Sequence, residues 1–97
     1  MNTHGKLRGK IDEIDTEMIA LFEARMEIAE EIAEYKIAQG IPVFDGTREE
    51  EVICRNVNKL QDDALKEYAS SFFKHLMALS RKKQQENFET SKISHEI

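Results

Sequence analysis

Apolar residues recur along the first third of the chain at steps of four and three: Leu7, Ile11, Ile14, Met18, Leu21, then Ile28 and Ile32. Such steps bring side chains to one face of an α-helix. The pattern predicts one long amphipathic helix from about Lys6 to Gln39, rich in Ile, Leu, Met, Ala, Glu and Lys and free of Pro. Gly9 weakens its first turns without breaking it. Position 25 falls on the apolar face yet is Arg, and Lys36, four beyond Ile32, extends the same face. Cations on a face meant for burial either carry a penalty or bind an anion there.

Gly40 follows the last periodic residues and reads as the helix cap. Pro42 then ends helical propagation and holds Ile41 in extended geometry, so Gly40 to Asp45 is a connecting strand of coil. Asp45 or Thr47 caps a second helix, which runs from Gly46 or Arg48 to about Leu60. Thr47 with Glu50 matches a capping box. The inward positions of this helix are Val52, Ile53, Val57 and Leu60, and Glu49, four before Ile53, shares their face. Gln61, Asp62 and Asp63 form a turn whose Asp can cap a third helix from near Ala64 to at least Gln85. Leu65, Ala69, Phe72, Phe73, Leu76 and Met77 make its apolar face, which continues into Ser80 and Gln84 and so turns from apolar to hydrogen-bonding. Residues 1–5 and about 87–97 read as loose ends, the latter as frayed helix or disordered tail. The expectation is a single all-α domain over 1–97, built of a long, a short and a long helix.

Helix length changes this picture. About 34 residues at ~1.5 Å each span ~50 Å, whereas a compact domain of this size has a radius of gyration near ~13 Å. The rest of a chain of 97 residues cannot cover such a helix. A second copy packed on its apolar face is the economical solution, and a twofold homodimer is the commonest assembly.

Composition narrows the function. Hydrophobic residues make up 40% and charged residues 34%, enough for a core in an ordinary water-soluble chain. Nothing approaches the ~20 apolar residues of a membrane span, and the first residues lack the apolar core of a secretory signal. A net charge of −5 without a basic block argues against nucleic acid. One cysteine, Cys54, excludes an internal disulfide and fits a reducing cytoplasm. His4, His75 and His95 are scattered, no Cys/His set has zinc spacing, and no glycine-rich phosphate loop occurs. No metal or cofactor is expected.

The polar residues on inward faces are the candidates. Arg25 and Lys36 lie about 20° apart around the helix and ~16 Å apart along it, so their heads can meet over a small anion. The alternative is that Arg25 pairs with a core carboxylate while Lys36 reaches out to water. Arg8 is turned about 100° from Arg25 and stands roughly 25 Å away. It serves a partner's site in an antiparallel dimer, or is simply solvated. Glu49 lies in the first turn of its helix, where a carboxylate also complements the helix dipole. Arg48 beside it can pair with a neighbouring acid. Ser80 and Gln84 either face a ligand or mark where the third helix emerges into solvent.

These residues together resemble the all-helical class of chorismate mutase. The resemblance covers about residues 7 to 85. It rests on LRGKIDEID opening the first helix, EARMEIAEEIAEYK further along it, PVFDGTREEE at the loop and second helix, and ALSRKKQQ late in the third. It implies an intertwined homodimer of three-helix chains and the pericyclic rearrangement of chorismate to prephenate, on the route to Phe and Tyr. By resemblance, Arg8 crosses into the partner's site to bind one substrate carboxylate and Arg25 binds the other from within the chain. Lys36 contacts the ether oxygen and a carboxylate. Glu49 binds the ring hydroxyl, with Asp45 contributing nearby and Arg48 ordering the site. Ser80 and Gln84 match the pattern of the last helix, where the glutamine donates to the ether oxygen. Two positions depart from the pattern: Met26 stands where some relatives carry a second basic residue, and Gly9 replaces a better helix former beside Arg8.

Such a reaction needs no nucleophile, acid–base pair or metal. It needs a dianion held in a reactive shape and donors at the ether oxygen. Two other readings compete. One is a non-enzymatic helical interaction module that docks through the long helix. The other is elimination of pyruvate from isochorismate on the same fold, which a residue placed for chorismate's ring hydroxyl, Glu49, disfavours.

Overall fold

The chain folds into α-helices throughout, in a computed structural model that describes residues 2–96, with side chains described for 2–86. Helix α1 spans Thr3–Ala38, α2 spans Gly46–Val57, and α3 spans Lys66–Glu96 after a short 3-10 turn at Asp63–Leu65. Among the described residues there is no strand. None of the helices is long and apolar enough, over the described residues, to cross a membrane.

The helix starts are set by side-chain caps. Asn2 accepts a hydrogen bond from the Gly5 amide at 2.9 Å, and α1 therefore begins at Thr3. Residues 3–5, expected to be loose, are its first turn; an Asn cap supplies an acceptor to one of the orphan amides. Asp45, not Thr47, caps α2, its Oδ1 accepting from the Arg48 amide at 3.0 Å. Gly46 occupies the first helical position, and a Cβ there would come within 3.3 Å of the Phe44 ring. A side chain at that position would press on the ring, which packs closely over the helix start. Asp62 caps the 3-10 turn through the Ala64 amide at 3.0 Å, so the α-helix proper starts two residues later than Ala64.

The helix ends follow the same logic. Gly40 has φ +71°, and its amide bonds to Ile37 O at 3.2 Å while the Ile41 amide bonds to Lys36 O at 2.8 Å. This paired closure stops α1 and turns the chain into the segment that leads to Asp45. Helix α2 stops at Val57 rather than near Leu60, where tight turn bonds from Lys59 and Leu60 take over. The side chains of 87–97, where a loose terminus is expected, lie outside the described residues.

Helix α3 is the common support: α1 and α2 both pack on it. Arg25 and Ala29 of α1 meet Ser80 and Gln84 of α3, so the two long helices run in the same direction where they touch. The burial is concentrated there, at Ala33, Leu76, Met77 and Ser80. Away from it the chain is thin. It measures 62 × 29 × 15 Å with a radius of gyration of 17.6 Å, well above the ~13 Å of a compact domain of similar length. Leu7, Ile11, Ile14, Met18 and Leu21 are 48–69% exposed along the first half of α1. The isolated chain leaves uncovered most of the apolar face that the periodicity defines.

Candidate active site

The face of α1 that carries Arg25 and Lys36 also carries Ala29 and Ile32, at steps of four, three and four. All four line one cavity of about 210 Å³. The turn after α1 brings Val43 and Asp45 to it, α2 contributes Arg48, Glu49 and Val52, and α3 contributes Met77, Ser80, Arg81 and Gln84. Seven of the eight residues singled out from sequence therefore converge: Arg25, Lys36, Asp45, Arg48, Glu49, Ser80 and Gln84. The eighth, Arg8, lies on the exposed first half of α1 and does not line this cavity.

Four of the polar lining residues are held from behind. The Arg25 guanidinium donates through Nη1 to Ser80 Oγ at 3.3 Å. Ser80 is buried, donates to the Leu76 carbonyl one turn back at 3.1 Å, and lies 3.5 Å from the Met26 sulfur. Its hydroxyl thus spends its proton on the backbone and keeps its lone pairs for Arg25. Lys36 Nζ donates to the Val43 carbonyl at 3.3 Å, which fixes the ammonium to the turn after its own helix. Gln84 Nε2 donates to the Ala29 carbonyl at 2.8 Å, tying α3 to α1.

The electrostatic consequence lies in what these partners are not. Arg25 is half-buried and its recorded partner is a hydroxyl; Lys36 is half-buried and its partner is a backbone carbonyl. Among the described residues neither forms an ion pair. No core carboxylate pairs with Arg25 among the described residues. Two partly desolvated cations with no carboxylate in contact make an anion site, because a buried charge gains most from an opposite one.

Asp45 and Arg48 have structural duties as well. The Asp45 carboxylate is the α2 cap. Arg48 reaches Glu51 one turn on, at 3.9 Å with both side chains more than half exposed, a contact that contributes little. Among the described residues no three His, Cys, Asp or Glu side chains cluster as a metal site would.

Two contributors escape the sequence reading. Arg81 lines the cavity, pairs with Glu49 through Nη1 and Oε1, and sits 5.4 Å from the centre of the Phe44 ring. A signal existed: Met77, Arg81 and Gln84 follow at steps of four and three, a row beside the one through Ser80. Phe44 had no periodic signal, since it belongs to no helix.

The model of the family described as chorismate mutase type II matches residues 7–85. A protein of Methanocaldococcus jannaschii named chorismate mutase is 40% identical over 50 residues, covering 52% of this chain and 50% of that protein. The chain spans about half the length of this curated relative in the match. The family match takes in most of the chain and all eight residues singled out from sequence, from Arg8 to Gln84, and the chain belongs to the chorismate mutase type II family.

Proposed function

We propose that the protein is a chorismate mutase, rearranging chorismate to prephenate for Phe and Tyr synthesis, and that it works as a homodimer in the cytoplasm. The observation that carries this reading is the convergence of Arg25, Lys36, Arg48, Glu49, Ser80 and Gln84 on one small cavity. The reaction is unimolecular. The ether C–O bond breaks as a C–C bond forms, and no proton, electron or group is exchanged with the protein.

Two tasks remain for the site. The first is to hold a flexible dianion in the compact shape from which the new bond can form, a restraint worth up to ~7–11 kcal/mol in favourable cases. Arg25 does this for one carboxylate, oriented by Ser80. Arg8 of a second chain does it for the other. The second task is to stabilise negative charge that grows on the ether oxygen. Lys36 has three N–H donors and spends one on Val43; Gln84 has two and spends one on Ala29. Each keeps a donor for the substrate, already anchored and needing little reorganisation. Glu49 accepts from the ring hydroxyl and so orients the ring.

The homodimer is supported by the exposed row from Leu7 to Leu21 on a helix that outruns its own chain. A second copy laid antiparallel on this row would cover it and bring its Arg8 towards the cavity. The direct test is the ultraviolet absorbance of chorismate incubated with the purified chain, with product identified by chromatography. Loss of chorismate to prephenate is expected. A folded protein that leaves chorismate intact would sink the proposal, and release of pyruvate from isochorismate would redirect it to elimination.

A further inference from the structure

Arg81 is the cavity's unassigned cation, and its surroundings differ from those of Arg25 and Lys36. Its guanidinium is occupied on two sides, by Glu49 Oε1 and by the face of Phe44. Glu49 is held a quarter exposed at the cavity wall. Phe44 in turn packs over Gly46 at the start of α2. A guanidinium is a rigid planar fork, so contacts on an edge and a face fix it in both position and tilt. Its charge is already answered by Glu49. It is therefore poorly suited to be a further anchor for an anionic substrate. What it controls is the carboxylate.

We infer that Arg81 is a positioning residue for Glu49, and that the pair makes the site selective for a substrate bearing a ring hydroxyl. This rests on the chorismate mutase reading above. An ionised carboxylate offers about four acceptor sites on two oxygens. The contact at Oε1 uses part of that capacity and leaves the rest for a hydroxyl donor. Without Arg81, Glu49 is free to rotate about its side-chain bonds, and Phe44 loses the cation that holds it against the start of α2. The carboxylate then meets the hydroxyl in the right geometry only part of the time. A site built to accept a hydroxyl proton discriminates strongly against an analogue that lacks it, because its own polar group is left unpaired. Selectivity of that kind depends on the carboxylate staying in place.

The experiment compares the full chain with Arg81→Met, Arg81→Lys, Glu49→Gln and the Arg81→Met/Glu49→Gln double variant. Steady-state kcat and KM are measured on chorismate and on an analogue without the ring hydroxyl, with circular dichroism confirming the fold. Arg81→Met is expected to lower kcat/KM on chorismate by about tenfold, the scale of a modest misplacement, and to change the analogue's value less than about twofold. Arg81→Lys keeps the charge but not the planar fork, and should recover only part of the loss. In the Glu49→Gln background Arg81→Met should add nothing, since there is no carboxylate left to position. Equal losses on both substrates, or losses that add in the double variant, would overturn the inference and leave Arg81 a structural residue. Should Arg81→Met fail to fold, the same cycle with Arg81→Lys decides, through a smaller loss confined to chorismate. Wild-type inactivity on chorismate overturns the function itself; an active wild type with unselective losses overturns this inference alone.

Discussion

The Arg25 guanidinium meets the hydroxyl of Ser80 at 3.3 Å, and that hydroxyl itself donates a hydrogen bond to the Leu76 carbonyl. The arginine is thus oriented by a neutral acceptor and retains its full charge for a ligand. Replacing it by an apolar residue of similar length removes an unneutralised, half-buried charge. Arg25→Met and Lys36→Met are therefore expected to lower kcat/KM by at least ~10²-fold while the melting temperature holds or rises. Thermal denaturation alongside the chorismate assay checks this. A large fall in stability with activity preserved would assign both cations to the fold.

Gln84 donates through a neutral amide, so its part in catalysis should not vary with pH. A glutamate at this position can donate only when protonated, and an ordinary carboxyl is protonated only below pH ~4.3. Gln84→Glu should therefore be nearly inactive at pH 8 and gain activity as the pH falls, over a range in which the wild type changes little. A flat pH–rate profile for the variant would remove Gln84 from the reacting atoms.

Arg8 tests the assembly. Chains carrying Arg8→Ala and chains carrying Arg25→Ala should each be inactive alone. Mixed after unfolding and refolding, half of the dimers are hybrid, and each hybrid has one site with both arginines. Activity should return to about one quarter of wild type. No recovery, in a mixture shown to form hybrids, would confine Arg8 to a role in its own chain.

The apolar row of α1 makes a separate prediction. Ile14, 52% exposed in the single chain, lies near the middle of the row from Leu7 to Leu21. Ile14→Glu would place a charge there at no cost to a monomer. If the row is an interface, the variant should dissociate or unfold in sedimentation velocity, because obligate dimers rarely keep a stable monomer. An Ile14→Glu protein of unchanged mass and activity would leave the row without a partner.

Asp45 combines a cap with a place at the cavity wall, and the two roles separate by substitution. Asn also caps, whereas Ala does not. Asp45→Asn should keep the stability of α2, and Asp45→Ala should lose ~1 kcal/mol by denaturant titration. Any loss of kcat/KM shared by both variants then measures what the charge does at the cavity.

Much of the site was legible because its α1 wall obeys strict helical spacing. Arg25, Ala29, Ile32 and Lys36 share a face by arithmetic alone, and the structure brings that face to one cavity. What periodicity could not rank was the choice between local patterns. Thr47 with Glu50 is a sound capping box on paper, yet Asp45 caps α2, where Phe44 packs over Gly46. Arg81 was overlooked for a related reason. It opens a run of three basic residues with no apolar neighbour in sequence, and only the fold brings Glu49 beside it. The role proposed for Arg8 rests on a second chain, which spacing along one chain does not contain.

Helix α1 continues without a break from Thr3 to Ala38 and carries Arg8 and Arg25 on different faces. If the two serve sites in opposite halves of a dimer, the helix is a rigid spacer between them. One residue inserted in the interval would turn Arg8 by about 100° and shift it by ~1.5 Å relative to Arg25. Substitutions off its apolar row are cheap, but a change of length would misdirect an arginine in both sites at once. The interval from Arg8 to Arg25 should therefore tolerate drift at its polar positions and resist insertions and deletions, while the turn from Asn58 to Asp62, which lines no part of the cavity, can vary in length.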